Sequence, residues 1–114
     1  MKKLLLILCF FSYINISYAQ EKLNKKKSVE FAVSGNCEMC KKRIEKAAYA
    51  VKGVKVAEWH INHKDIHIIY NEEKCTLDEI KIAIAKAGHD TDTIKAADED
   101  YEKLHHCCLY RSEE

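Results

Sequence analysis

Cys37 and Cys40 stand three positions apart in Gly35-Asn36-Cys37-Glu38-Met39-Cys40-Lys41-Lys42-Arg43-Ile44, between a strand-like run and an amphipathic one. Two sulfurs at that spacing, one in a loop and one on the first turn of a helix, can converge on a single soft cation. A helix N-terminus and the adjoining Lys41, Lys42 and Arg43 both favour thiolate over thiol, the form a metal requires. The same pair is also suited to thiol–disulfide exchange or to a plain structural disulfide. A second group of donors, His105-His106-Cys107-Cys108, lies near the end of the chain. Consecutive side chains on a helix diverge, so these four cannot enclose one ion by themselves. One or two of them would have to join donors from the CxxC loop, from Cys75 or from a second chain. Cys107 and Cys108 could otherwise bind metal as a pair or close into a strained disulfide.

The elements that must position these donors are legible from periodicity. Val29, Phe31 and Val33 alternate with polar or small neighbours as a half-buried strand. A helix over Met39–Val51 puts Ile44, Ala47, Ala48 and Val51 on one face, and Gly53 ends it. Ala57, Trp59 and Ile61 mark a second strand; Ile66, Ile68 and Tyr70 mark a third. Thr76-Leu77-Asp78-Glu79 reads as a capping box that opens a second helix, with Leu77, Ile80, Ile84 and Ala87 as its apolar stripe and Gly88 as its end. Asp92–Lys95 is expected as a short final strand. The order β-α-β-β-α-β is the α+β, ferredoxin-like sandwich: a four-stranded antiparallel sheet with two helices on one face. A short C-terminal helical extension follows, with Tyr101, Leu104 and Cys108 on one side. Cys75 reads as a buried, inert thiol, His60 and His67 as residues of the exposed sheet face, and His63 as part of a turn.

Residues 1–19 have the pattern of a cleaved secretory signal: Lys2 and Lys3, an apolar run from Leu4 to Phe11, then Ser17-Tyr18-Ala19. The apolar run is too short for a membrane span, so no stable membrane insertion is expected after cleavage. The sequence therefore predicts export to a periplasmic or extracellular space. Residues 20–27 read as a flexible basic lead-in, 28–96 as one domain and 97–114 as a Cys/His-rich extension. Of six cysteines, Cys9 leaves with the signal. The odd remainder does not suit a fully paired disulfide framework. Nineteen basic and 18 acidic residues give a net charge of +1, which falls to −1 without Lys2 and Lys3. There is no basic stripe with interleaved aromatics, which argues against nucleic acid as a partner.

Residues 28–96 resemble the heavy-metal-associated domain family. The resemblance rests on the strand-loop-CxxC-helix entry, Gly53-Val54 after the first helix, Tyr70 at the end of the third strand and Ala87-Gly88 after the second helix. It implies a non-enzymatic metal chaperone. Cys37 and Cys40 would bind a soft ion, usually Cu(I), with Zn(II), Cd(II) and Hg(II) as alternatives. The ion would pass to a metal-transporting ATPase or another metal-accepting protein, or be sequestered.

The chain departs from the family in two places. Members read Gly-Met-Thr-Cys where this chain has Gly35-Asn36-Cys37, so the methionine that packs under the loop is missing, and Phe31 or Met39 is expected to replace it. His89 stands where members carry Tyr, Phe or Lys, in a loop expected at the CxxC end. That makes His89 a candidate third ligand, active only when neutral. His105, His106, Cys107 and Cys108 are candidate tail ligands. Lys41, Lys42, Arg43 and Lys46 are expected to steer an acidic partner. Two alternatives remain beside this reading. One is a thiol–disulfide redox protein, disfavoured because the chain has no proline and thioredoxin folds set one against their active-site pair. The other is a homodimer bridged by an ion shared between two CxxC loops.

Overall fold

The structure is a computed structural model that describes residues 22–113. The expected signal segment, with Cys9, lies outside the described residues. Among the described residues no helix is long and apolar enough to cross a membrane.

Three strands, β1 (Lys27–Ala32), β2 (Val54–His60) and β3 (Asp65–Tyr70), form an antiparallel sheet in the order β1-β3-β2. The period-2 pattern sets the register: Phe31 lies opposite Ile66, and Trp59 opposite Ile66 from the other side. All three side chains are buried. A one-residue slip would turn this apolar set to solvent. The strands pack on helices α1 (Glu38–Tyr49) and α2 (Leu77–Lys86) through a common core that includes Ile44, Ala48, Ile68, Ile80 and Ile84. The capping box at α2 is present as expected. The Glu79 N–H donates to Thr76 Oγ1 at 3.2 Å, and the Thr76 N–H donates to Glu79 Oε2 at 3.4 Å.

The expected fourth strand over Asp92–Lys95 does not form. It is reduced to one bridge, Val33 with Thr91, so the sheet has three strands rather than four. Among the described residues, backbone bonds to the end of β1 are confined to Ser34 N–H with the Asp90 carbonyl and Asp92 N–H with the Ala32 carbonyl, and beyond them local contacts take over. Thr91 Oγ1 accepts from the Ile94 N–H at 2.9 Å, the Thr91 N–H donates to the Ile94 carbonyl at 2.8 Å, and the Asp90 carboxylate accepts from the Ala96 N–H at 2.7 Å. Asp92 is used elsewhere, pairing at 2.9 Å with Lys81, a buried lysine whose Nζ also lies 5.0 Å above the Phe31 ring. Strand β1 starts at Lys27, and Asn24 is tied to Glu72 by two hydrogen bonds, of 2.7 and 3.0 Å.

The extension is a short helix, α3 (Asp98–Glu102), followed by two 3₁₀ turns, His106–Cys108 and Tyr110–Glu113. Tyr101, Leu104 and Cys108 face inward, as their spacing suggests, although the helix stops before it reaches the last two. Gly88 makes room for this packing. Its φ is +102°, and a Cβ there would stand 2.8 Å from Leu104 Cδ2 and 2.9 Å from the Asp100 carbonyl oxygen.

Candidate metal centre

The loop after β1 places Cys37 at the N-cap of α1 and Cys40 on its first turn. Cys37 is partly exposed, whereas Cys40 is fully buried. The space under the loop is filled by Trp59, not by the expected Phe31 or Met39. The Trp59 indole N–H donates to the Val33 carbonyl at 3.1 Å, holding the ring below Gly35. A Cβ on Gly35 would lie 3.0 Å from Trp59 Cζ2 and 3.1 Å from Cys40 Cβ, so a larger residue would have to push the ring or the loop aside by a few tenths of an ångström. Met39 points outward and is 43% exposed.

The tail delivers two more sulfurs. Cys37 Sγ lies 3.3 Å from Cys40 Sγ, 3.4 Å from Cys108 Sγ and 3.6 Å from Cys107 Sγ. The sulfurs of Cys37, Cys40 and Cys108 all fall within 4.8 Å of one another. A clamp of side chains fixes that approach. The Tyr110 hydroxyl donates to the Gly88 carbonyl at 2.8 Å and accepts from the Asp90 N–H at 2.9 Å. Arg111 grips the Asp90 carboxylate at 2.8 and 3.3 Å, Asp98 at 3.0 Å and the Ala96 carbonyl at 2.8 Å, and its guanidinium stacks 4.3 Å above the Tyr101 ring. Charge-assisted, two-pronged contacts of this kind are the strong ones.

The thiols are not equivalent. Burial pushes Cys37 up, but hydrogen bonding to the Cys40 N–H and to the sulfurs of Cys40, Cys108 and Cys107 brings it down to about 7. Burial holds the Cys40 and Cys108 thiols above their ordinary value. Cys37 is thus the most acidic of the three clustered thiols. The helix N-terminus acts as expected, through a backbone N–H. Part of the basic cluster, by contrast, is occupied within the fold. Lys41 Nζ donates to the Trp59 carbonyl at 2.6 Å and pairs with Glu45 at 3.0 Å, and Arg43 donates to the Ala87 carbonyl at 3.2 Å. Lys42 and Lys46 are the exposed members.

No family model matches the chain. The copper chaperone CopZ of Staphylococcus epidermidis is 33% identical over 55 residues, spanning 48% of this chain and 81% of the chaperone. The chain belongs to the heavy-metal-associated domain family. Solved structures of the family superpose on it. A CopZ metallochaperone does so with a TM-score of 0.55 at 26% identity, over 57% of this chain and 98% of that one. The N-terminal domain of a potential copper-translocating P-type ATPase from Bacillus subtilis, in its Cu(I)-loaded state, gives 0.55 at 25% identity, over 63% and 99%. Oxidized MerP from Ralstonia metallidurans shares the fold, with a TM-score of 0.56 at 22% identity over 59% and 94%.

Within this heavy-metal-associated domain, His89 does not join the thiols. It is fully buried and stacks at 5.6 Å on Tyr110. Its Nδ1–H donates to the Ser34 carbonyl at 2.8 Å, a contact that pins the loop leading to Cys37. Burial lowers its pKa. His105 and His106 are exposed and stack on each other at 4.7 Å, apart from the sulfurs. His60 and His67 are engaged on the outer sheet face, with Asp65 at 2.9 Å and Ser28 at 2.9 Å. The sequence pointed to Cys107 and Cys108 only as two of several candidate tail ligands. Tyr110 and Arg111, which lodge Cys108 against the loop, went unnoticed. An aromatic and an arginine directly after two cysteines were the available signal.

Proposed function

We propose that this protein is an exported carrier of a soft metal ion, with Cu(I) as its cargo, held by Cys37 and Cys40 together with Cys108. The convergence of those three sulfurs is the observation that carries the reading, because clustered thiolates select soft cations over hard ones. The named relatives, a copper chaperone and a Cu(I)-loaded ATPase domain, support copper ahead of Zn(II), Cd(II) or Hg(II). Export is supported by the pattern of residues 1–19. The ion would be handed to a metal-transporting ATPase or another metal-accepting protein. Lys42 and Lys46 lie free to meet an acidic face on that partner, with Lys41 and Arg43 as a fixed part of the same patch.

Cys108 takes the place that a second chain's thiol would fill in a metal-bridged dimer, which favours a monomeric carrier. A thiol–disulfide exchanger would instead reduce or isomerise a disulfide substrate with turnover. X-ray absorption on the reduced, Cu(I)-loaded protein tests the reading. Three sulfurs per copper are expected in the wild type and two in Cys108→Ala. Two sulfurs in both, or a nitrogen scatterer lost in His89→Ala, would overturn the assignment of Cys108.

A further inference from the structure

Two sulfurs beside the three-thiol cluster have no part in the site just proposed. Cys107 Sγ is exposed at the surface, and Met39 Sδ lies 3.9 Å from it. Met39 is one of only four large hydrophobic side chains left exposed among the described residues, and it does not contribute to the core. Cys40 and Cys108 are inaccessible, at 0% exposure each. An ion arriving on a donor molecule therefore cannot touch either of them directly. Cys107 lies 3.6 Å from Cys37 and 3.9 Å from Cys108, and so spans the gap between solvent and the buried cluster.

We infer that Cys107 and Met39 form an exposed two-sulfur landing position through which the soft ion reaches and leaves the buried cluster by way of Cys37. This rests on the proposed three-thiol site. The chemistry of the two donors suits transit rather than storage. A thioether is soft, neutral and flexible, so it holds Cu(I) without a charge or a proton to exchange.

Entry proceeds by ligand replacement with no change in the oxidation state of the metal. Cys107 and Met39 bind the incoming Cu(I), and the Cys107 thiol gives its proton to water. Cys37 then displaces the donor's thiolate, which leaves with any proton the Cys37 sulfur carried. Cys40 and Cys108 bind, each releasing a proton, while Cys107 takes one back and lets go together with Met39. Cys107 ends the cycle with the proton count it began with, and exit runs the same steps backwards.

The test uses the full, reduced chain carrying one Cu(I). Transfer to a competing Cu(I) chelator is followed by stopped flow, and affinity is measured by equilibrium competition. Cys107→Ser and Met39→Leu alter exposed side chains and leave the core intact. Each is expected to slow transfer by about tenfold while the equilibrium constant stays within about threefold. Unchanged rates in both variants would overturn the landing position. Affinity falling in step with the rate would also overturn it, because Cys107 would then be a resident ligand. Failure of the underlying site looks different: wild-type protein that binds no Cu(I), or Cys37→Ser binding as tightly as wild type, would remove the three-thiol site itself.

Discussion

At one end of the sheet, just beyond Tyr70, Cys75 is buried, and among the described residues its sulfur has a single hydrogen-bond partner, the Asn71 carbonyl at 3.9 Å. Burial, with the Glu79 carboxylate as a lesser influence, holds its thiol above the ordinary value. At the other end, beyond Ala32, Cys40 and Cys108 are buried at least as deeply, yet they surround a Cys37 whose thiol is brought down to about 7. Burial alone makes a thiol inert. Burial beside a partner that can stay charged makes a set of donors. The two ends of one small domain thus show what separates a packing cysteine from a ligand: the company its sulfur keeps.

The largest effect should come from swapping the two ends. Cys37→Ser or Cys40→Ser is expected to lower Cu(I) affinity by at least about a hundredfold, since even outer-shell changes reach that size. Cys75→Ser should leave affinity unchanged and cost about 1–2 kcal/mol of stability for burying a hydroxyl. Competition titration and urea unfolding of the three variants check both arms, and Cu(I) binding lost with Cys75 would break the contrast.

Loosening the clamp should come next. Arg111→Ala removes the partner of Asp90, and Tyr110→Phe leaves the Gly88 carbonyl and the Asp90 N–H without theirs. Each should cost about 1–3 kcal/mol. Each should also open Cys108 to alkylation, read by mass spectrometry, while Cys75 stays protected. A Cys108 that remains unreactive in both variants would mean that the clamp does not hold the tail.

The smallest effect is in pH. Cys37 is nucleophilic only as thiolate, so its alkylation should rise with pH through a midpoint near 7, with Cys75 and Cys108 silent over that range. In Cys108→Ala one donor to the Cys37 thiolate is gone, so the midpoint should move up. A midpoint that stays put would mean that Cys108 plays no part in the lowered value, leaving the Cys40 N–H and the Cys40 and Cys107 sulfurs as its source.

Much of the fold can be read along the chain because it depends on short-range patterns. Alternation in β1, β2 and β3, the capping box at Thr76 and the spacing of Ile80 and Ile84 each involve residues within a few positions of one another. The expected fourth strand failed for the same kind of reason. Thr91 and Asp90 offered the backbone closer partners than a longer ladder did, and alternation says nothing about that competition. Trp59 as the floor of the CxxC loop was hidden because an apolar strand residue shows its face but not what lies above it.

The sequence by itself determined that Cys37 and Cys40 share a loop at the start of a helix, since three residues of chain can hardly hold them apart. It also determined that Tyr101, Leu104 and Cys108 would turn to one side. Only the tertiary structure decided that Cys108, 71 residues beyond Cys37, would come to rest 3.4 Å from its sulfur. It likewise decided that His89 would support the loop instead of joining the thiols. Those outcomes depend on where Gly88 leaves room for Leu104, and on Arg111 finding Asp90 across the fold. Packing of that range has no period in the chain, and so no trace in the spacing of its residues.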